Sequence, residues 1–259
     1  MNSLQIVNDE CAEVRSRYAK RHGDRLRYSL LNPAVLLAAQ ERQREIAALL
    51  VKLGWLDVSG VQLIEVGCGT GRNLLEFLRL GFAPERLIGI ELLKPSADEA
   101  RRVLPESVRI IVGDAAGTAG SQIPATSYDV VFQATVFSSL LNESFQERLA
   151  NVMWQWVRPG GGVLWYDFTY DNPVNPDVRG IPLSRIRQLF PRGRMLVRRV
   201  TLAPPVARFI TRLHPRLYSV FNTCRWLRTH VLVWIEKSKT DNAIELAATD
   251  PCLGDKLSE

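Results

Sequence analysis

Leu63-Ile64-Glu65-Val66-Gly67-Cys68-Gly69-Thr70-Gly71 is a short apolar run that carries an acid and then passes into glycines at alternate positions. Such a run reads as a buried strand turning into a helix, with glycines where backbone must approach a ligand at the helix N-terminus. A dinucleotide site is the first competitor. Its G-x-G-x-x-G spacing fails here, because the third glycine falls one position early and Arg72 stands where that glycine belongs. With Glu65 two positions before the first glycine, the stretch favours a different nucleoside ligand.

Outward from this turn the chain alternates. Apolar strand runs are expected at 61–66, 87–91, 108–112, 128–133 and 163–168, with helices after Thr70 and Pro95. Strand and helix in turn predict a parallel sheet with helices on its faces. Upstream, Asn32-Pro33 reads as N-cap and first helical residue, Ile46, Leu49, Leu50 and Leu53 follow at helical spacing, and Gly54 supplies the stop. Downstream, Ser144-Phe145-Gln146-Glu147 has capping-box spacing and opens a helix with Phe145, Leu149, Val152 and Trp156 on one face. Pro159-Gly160-Gly161-Gly162 reads as the turn that ends it. A short helix at 183–190 and two last strands at 195–202 and 231–236 complete the pattern. The 28 residues 203–230 between those strands far exceed a hairpin loop and form an inserted segment.

The chain has 259 residues, is 46% hydrophobic and 23% charged, and so reads as globular rather than disordered or fibrous. No secretory pattern opens it, and the late apolar run Val231-Leu232-Val233-Trp234-Ile235 is far too short to span a bilayer, so a cytoplasmic location is expected. Cys11, Cys68, Cys224 and Cys252 are scattered with only three histidines beside them, which argues against a zinc site or a disulfide frame. The charge is unevenly placed: residues 178–235 hold twelve arginines and no Asp or Glu, leaving 21 basic against 27 acidic residues elsewhere. A segment of that kind suggests an anionic partner.

The run from Glu65 to Gly71 resembles the first motif, E/D-x-G-x-G-x-G, of the class I S-adenosylmethionine (SAM)-dependent methyltransferases. Further matches follow in order: Glu91 ending the next strand, Gly113-Asp114-Ala115 after the third, Tyr128 to Gln133 as the fourth, and Arg158-Pro159-Gly160-Gly161 before the fifth. The resemblance implies an α/β fold with a doubly wound, seven-stranded, mostly parallel sheet and an antiparallel last strand. It implies SAM as cofactor, held by Glu65, Gly67, Cys68, Gly69, Gly71, Glu91, Asp114, Ala115 and Gln133, with Glu91 accepting from the ribose hydroxyls and Asp114 from the adenine amino group. The preceding helices look like the family's N-terminal lid, from which Arg27 or Tyr28 would reach the methionine end. Residues 1–57 are thus expected to be lid, 58–237 the methyltransferase domain with insertion 203–230 as acceptor cap, and 238–259 a loose tail.

Ligands of such sheets bind beyond the carboxyl ends of the parallel strands, so the insertion should face the acceptor. Its Pro204-Pro205, Phe209, Ile210, Leu213, Leu217, Phe221 and Trp226, with Arg208, Arg212, Arg216, Arg225 and Arg228, suit an anionic or amphiphilic acceptor, or else pack on the sheet edge. A hydroxyl acceptor gains from a general base; Asp167 and His230 are the candidates. Asp167 and Asp171 could together hold a divalent ion, as in metal-dependent O-methyltransferases, but nothing else in the sequence supports it and no metal is assigned. The loop Asp171-Asn172-Pro173 has a superficial likeness to the N-P-P-Y signature of amino-methylating nucleic-acid enzymes, but it follows the wrong strand. Residues 165–181, with Leu227 to His230, resemble bacterial surface-polysaccharide-associated methyltransferases. The expected acceptor is therefore a sugar hydroxyl of a surface glycan or its lipid-linked precursor, with peripheral membrane contact through the arginine-rich insertion. RNA or a small molecule is the enzymatic alternative, and a non-catalytic SAM-binding partner subunit the alternative of another class.

Overall fold

In the computed structural model, which describes residues 3–19, 29–171 and 175–239, the predicted alternation builds one sheet. Its strands are β1 (Leu63–Val66), β2 (Leu87–Glu91), β3 (Arg109–Val112), β4 (Tyr128–Ala134), β5 (Val157–Phe168), β6 (Arg194–Leu202) and β7 (Arg228–Glu236). The order is β3-β2-β1-β4-β5-β7-β6, with β7 antiparallel to both its neighbours. Chain direction reverses its march across the sheet between β1 and β4, and this switch point opens the crevice where such folds bind ligands.

The helices are α1 (Ser3–Ala19), α2 (Pro33–Lys52), α3 (Arg72–Arg79), α4 (Lys94–Val103), α5 (Glu143–Trp156), α6 (Leu183–Leu189), α7 (Pro204–Leu213) and α8 (Leu217–Asn222). Strand side chains alternate between faces. Ile64, Val131, Trp165 and Val233 enter one core with Val14, Leu149, Met153 and Ile186, so α1, α5 and α6 cover that face. Leu63, Val130, Leu164 and Trp234 enter the other with Ile46, Leu49, Leu74, Phe77 and Ala97, under α2, α3 and α4. A third, smaller core joins Ala34 of α2 to Leu202, Ala207, Ile210 and Tyr218, and it seats α7 and α8.

The start of α2 forms as read: Asn32 Oδ1 accepts from Ala34 N–H, Pro33 is the first helical residue, and Gly54 follows the C-cap at φ +81°. Three expectations need correction. Asn142, not Ser144, caps α5, its Oδ1 accepting from Phe145 N–H, while Glu147 pairs with Arg185 instead of closing a capping box. The glycine run 160–162 lies inside β5 rather than in a turn. A Cβ on Gly161 would stand 2.7 Å from the Asp129 carbonyl oxygen, and one on Gly162 2.7 Å from that of Ile235, so these glycines let three backbones close up side by side. Finally, β7 begins at Arg228, so the insertion spans 203–227 and His230 is a strand residue opposite Phe168 and Val200.

Among the described residues no helix is long and apolar enough to cross a membrane. The predicted roles of Arg27 and Tyr28, and all but the first two residues of the expected tail, lie outside the described residues.

Candidate active site

The turn after β1 is built on left-handed backbone. Gly67, Gly69 and Gly71 have φ of +66°, +54° and +81°, a region that side-chain-bearing residues rarely adopt. A Cβ on Gly67 would meet Val136 Cγ2 at 2.5 Å and one on Gly71 would meet Leu104 Cδ1 at 2.7 Å, so these two pack the turn against its neighbours. At Gly69 nothing lies within 4 Å of that position, which leaves the middle of the turn open to a ligand. Cys68 does not face this opening. Its side chain is buried against Gly89, where an added Cβ would lie 2.6 Å from Sγ.

Glu91 ends β2 beside the turn, its Oε2 accepting from Gly69 N–H and its Oε1 from Leu93 N–H, both at 2.8 Å. Burial pushes its pKa up against the lowering effect of those amides. One carboxylate therefore fixes the turn and stands at its rim. Asp114, after β3, accepts from Ala116 N–H through Oδ1. Its buried Oδ2 accepts no N–H or O–H from the described residues, and the Cys11 thiol, a weak donor, faces the carboxylate from α1. A buried carboxylate with only a thiol beside this oxygen still lacks a strong donor there, and an adenine amino group is one. The open glycine, the Glu91 carboxylate beside it and this acceptor fit SAM. Ala115 is buried beside them.

Two predicted residues serve the scaffold. Gln133 is buried at the end of β4, where its Oε1 accepts from Val136 N–H at 3.0 Å and its Nε2 donates to the Tyr166 carbonyl. Asp167 is fully buried. Its Oδ2 accepts from Ser138 N–H and its Oδ1 from Phe168 N–H, and burial raises its pKa to about 7 despite these bonds. Asp171 accepts from Gly180 N–H, so the two carboxylates brace different loops.

Glu65 points beneath the turn. Its Oε1 accepts from Asn73 at 2.6 Å, its Oε2 is buried without a partner, and burial lifts its pKa to about 8. Alongside lies Arg42 of α2, which donates to Asn73 and Glu76 and sits 5.2 Å over the Tyr166 ring. Tyr166 in turn stacks on His230 at 5.1 Å and hydrogen-bonds Thr201. His230 Nδ1 lies 3.0 Å from Thr229 Oγ1, and burial, then the Arg42 charge, hold its pKa down at about 4. Thr135 and Thr201, at φ +56° and +62°, are β-branched residues in left-handed backbone on either side of Tyr166, and such strain gathers at functional edges.

Arg42 escapes sequence reading. It stands one turn before Ile46, on the stripe meant for apolar residues, and a charge at that position was the available signal. Helix α1 is expected only through the resemblance to the lid helices, without bounds or residues of its own. It is held over the ends of β3 and β4 by Glu10, which accepts from Leu141 N–H and from Arg17, and by Arg17, which donates to the Ser139 carbonyl oxygen.

This strand order with its single reversed strand, and a glycine turn flanked by two carboxylates, are those of the class I SAM-dependent methyltransferase fold. The comparisons agree: residues 63–161 match the family described as a methyltransferase domain. The fold is similar to Burkholderia thailandensis 1,6-didemethyltoxoflavin-N1-methyltransferase, solved with S-adenosylhomocysteine (16% identity, TM-score 0.60, 89% of this chain and 90% of that one). It is similar also to a SAM-dependent methyltransferase from Archaeoglobus fulgidus (12%, 0.52, 78% and 98%) and to the [4+2]-cyclase SpnF (15%, 0.54, 77% and 83%). No curated protein matches.

Proposed function

We propose that the enzyme O-methylates a sugar hydroxyl of a surface glycan or of its lipid-linked precursor. The observation that carries this reading is the α7–α8 cap. It leaves the end of β6 and returns at the start of β7, the edge on which the glycine turn and His230 also lie, and residues 178–235 offer arginines with no acid among them. Not all of the cap faces outward. Ile210 and Tyr218 pack in the third core, Leu217 packs against it, and Arg228 donates to the carbonyl oxygens of Asn222 and Arg199 as a brace.

Bound SAM supplies a methyl group on a sulfonium, so positioning does most of the catalytic work. The chain's own contribution is then the fixed turn, the shelter of α1 and a base. We assign the base to His230. It is neutral above about pH 4 and mostly buried at the cap edge, and Asp167 is left to position the 135–139 segment.

His230→Gln is expected to lower kcat at least about tenfold with SAM affinity unchanged, within the usual worth of a general base. Equal turnover by calorimetrically normal enzyme would remove His230 from the mechanism. Asp167→Asn should slow turnover while sparing SAM affinity; full turnover would remove it in the same way. Linkage gives a further check. The unfolded chain protonates His230 near 6.5 and the fold only near 4, so this residue's contribution to stability is present above 6.5 and is lost as pH falls toward 4. A His230→Gln variant should therefore lose less stability than wild type across that window in denaturant titrations.

The acceptor itself is tested with methyl-labelled SAM and fractions from cells lacking the gene. Label in a nuclease-resistant glycolipid fraction supports the reading. Nuclease-sensitive label would make RNA the acceptor, with the arginines on phosphates. No label in any fraction, with SAM bound tightly, would favour a non-catalytic partner.

A further inference from the structure

The buried stripe of α7 and α8 accounts for Ala207, Ile210, Thr211 and Tyr218. It leaves the opposite side of the cap with large apolar groups in solvent: Phe209 is 66% exposed, Leu213 67%, Val220 62% and Trp226 91%. On α7, Phe209 and Leu213 are one turn apart, and Arg208 and Arg212 form a second row beside them. Those two arginines, with Asn32, Pro33 and Thr211, line a cavity of about 240 Å³. Among the described residues neither guanidinium has an ion-pair partner, in contrast to Arg185, Arg194 and Arg198, which all do. Leu31, 94% exposed, adjoins the cavity at the foot of α2.

We propose that this outer face of the cap docks on an anionic phospholipid bilayer. Phe209, Leu213 and Trp226 enter the headgroup–acyl boundary, and Arg208 and Arg212 take lipid phosphates at the mouth of the cavity. Interleaved aliphatic, aromatic and arginine side chains suit that boundary, where apolar burial and attraction to anionic lipid act together. A nucleic-acid surface accounts less well for the pattern, because Leu213 and Val220 offer bases nothing to stack on. The cap also borders the strand ends that carry His230, so a docked enzyme presents its site to the interface. The inference stands whether or not the acceptor is a glycan.

The test is flotation of the full chain with vesicles of phosphatidylcholine alone or mixed with phosphatidylglycerol, with neither SAM nor acceptor present. The expected result is binding to the mixed vesicles, weak binding to the neutral ones, and partial loss with added salt. Trp226→Ser and the pair Phe209→Ser with Leu213→Ser should each reduce partitioning at least about tenfold, as should Arg208→Gln with Arg212→Gln. Phe209, Arg212, Leu213 and Trp226 are exposed and Arg208 is partly so, and unchanged thermal melting and SAM affinity certify folding. Absence of binding to mixed vesicles overturns the proposal. So does binding that the three variants leave unchanged, or competition by RNA for a chain that ignores vesicles.

Discussion

Glu91→Ala is expected to weaken SAM binding at least about tenfold, by taking away two things at once. The carboxylate is the proposed ribose acceptor beside the glycine turn, and it also holds the Gly69 and Leu93 amides at 2.8 Å. With it gone, the Gly69 N–H has no partner in the turn, and that segment, already built on left-handed backbone, loses the group that fixes its shape. Glu91→Gln keeps size and one acceptor and should fall between wild type and Ala. Calorimetry reads both. Wild-type affinity in the Ala variant would mean that Glu91 belongs to the scaffold and that another group takes the ribose.

Glu41→Ala should cost about 3 kcal/mol, the price of leaving two buried donors without an acceptor. Glu41 is 4% exposed, its Oε1 accepts from Thr201 N–H at 2.9 Å, and its Oε2 accepts from Tyr218 O–H at 2.7 Å. For a chain of this size that corresponds to a fall in Tm of roughly 6–12 °C. The damage should be local as well. Limited proteolysis is expected to reach residues 203–227 first, because Glu41 ties α2 to the end of β6 and to α8. A melting point within a degree or two of wild type would show that the tie is dispensable.

The sheet and the cofactor turn were legible because their signals are local and stereochemical. Three glycines at alternate positions, an acid at a strand end and alternating strands and helices each leave a mark within a few residues. Contacts between distant segments leave none. Nothing near Asp167 announces that the Ser138 amide will take its carboxylate, so a strand-end acid was read as a candidate base. The glycines at 160–162 were read as a turn because sequence shows their flexibility and not the neighbouring backbones that need their small size. Helix α1 hid because Glu10 and Arg17 sit on its buried side with Cys11 and Val14, breaking the apolar stripe that would have marked it.

Glu41 and Arg42 are adjacent in α2, yet one reaches the cap through Thr201 and Tyr218 and the other reaches the floor of the cofactor turn through Asn73, beside Glu65. A single helix therefore braces both the cofactor turn and the proposed acceptor cap. If occupancy of the turn shifts α2 against β6, the two ligands are thermodynamically linked, and reciprocity requires each to change the other's affinity by one common factor. Cooperativity between cofactor and acceptor would then follow from two neighbouring residues on one helix.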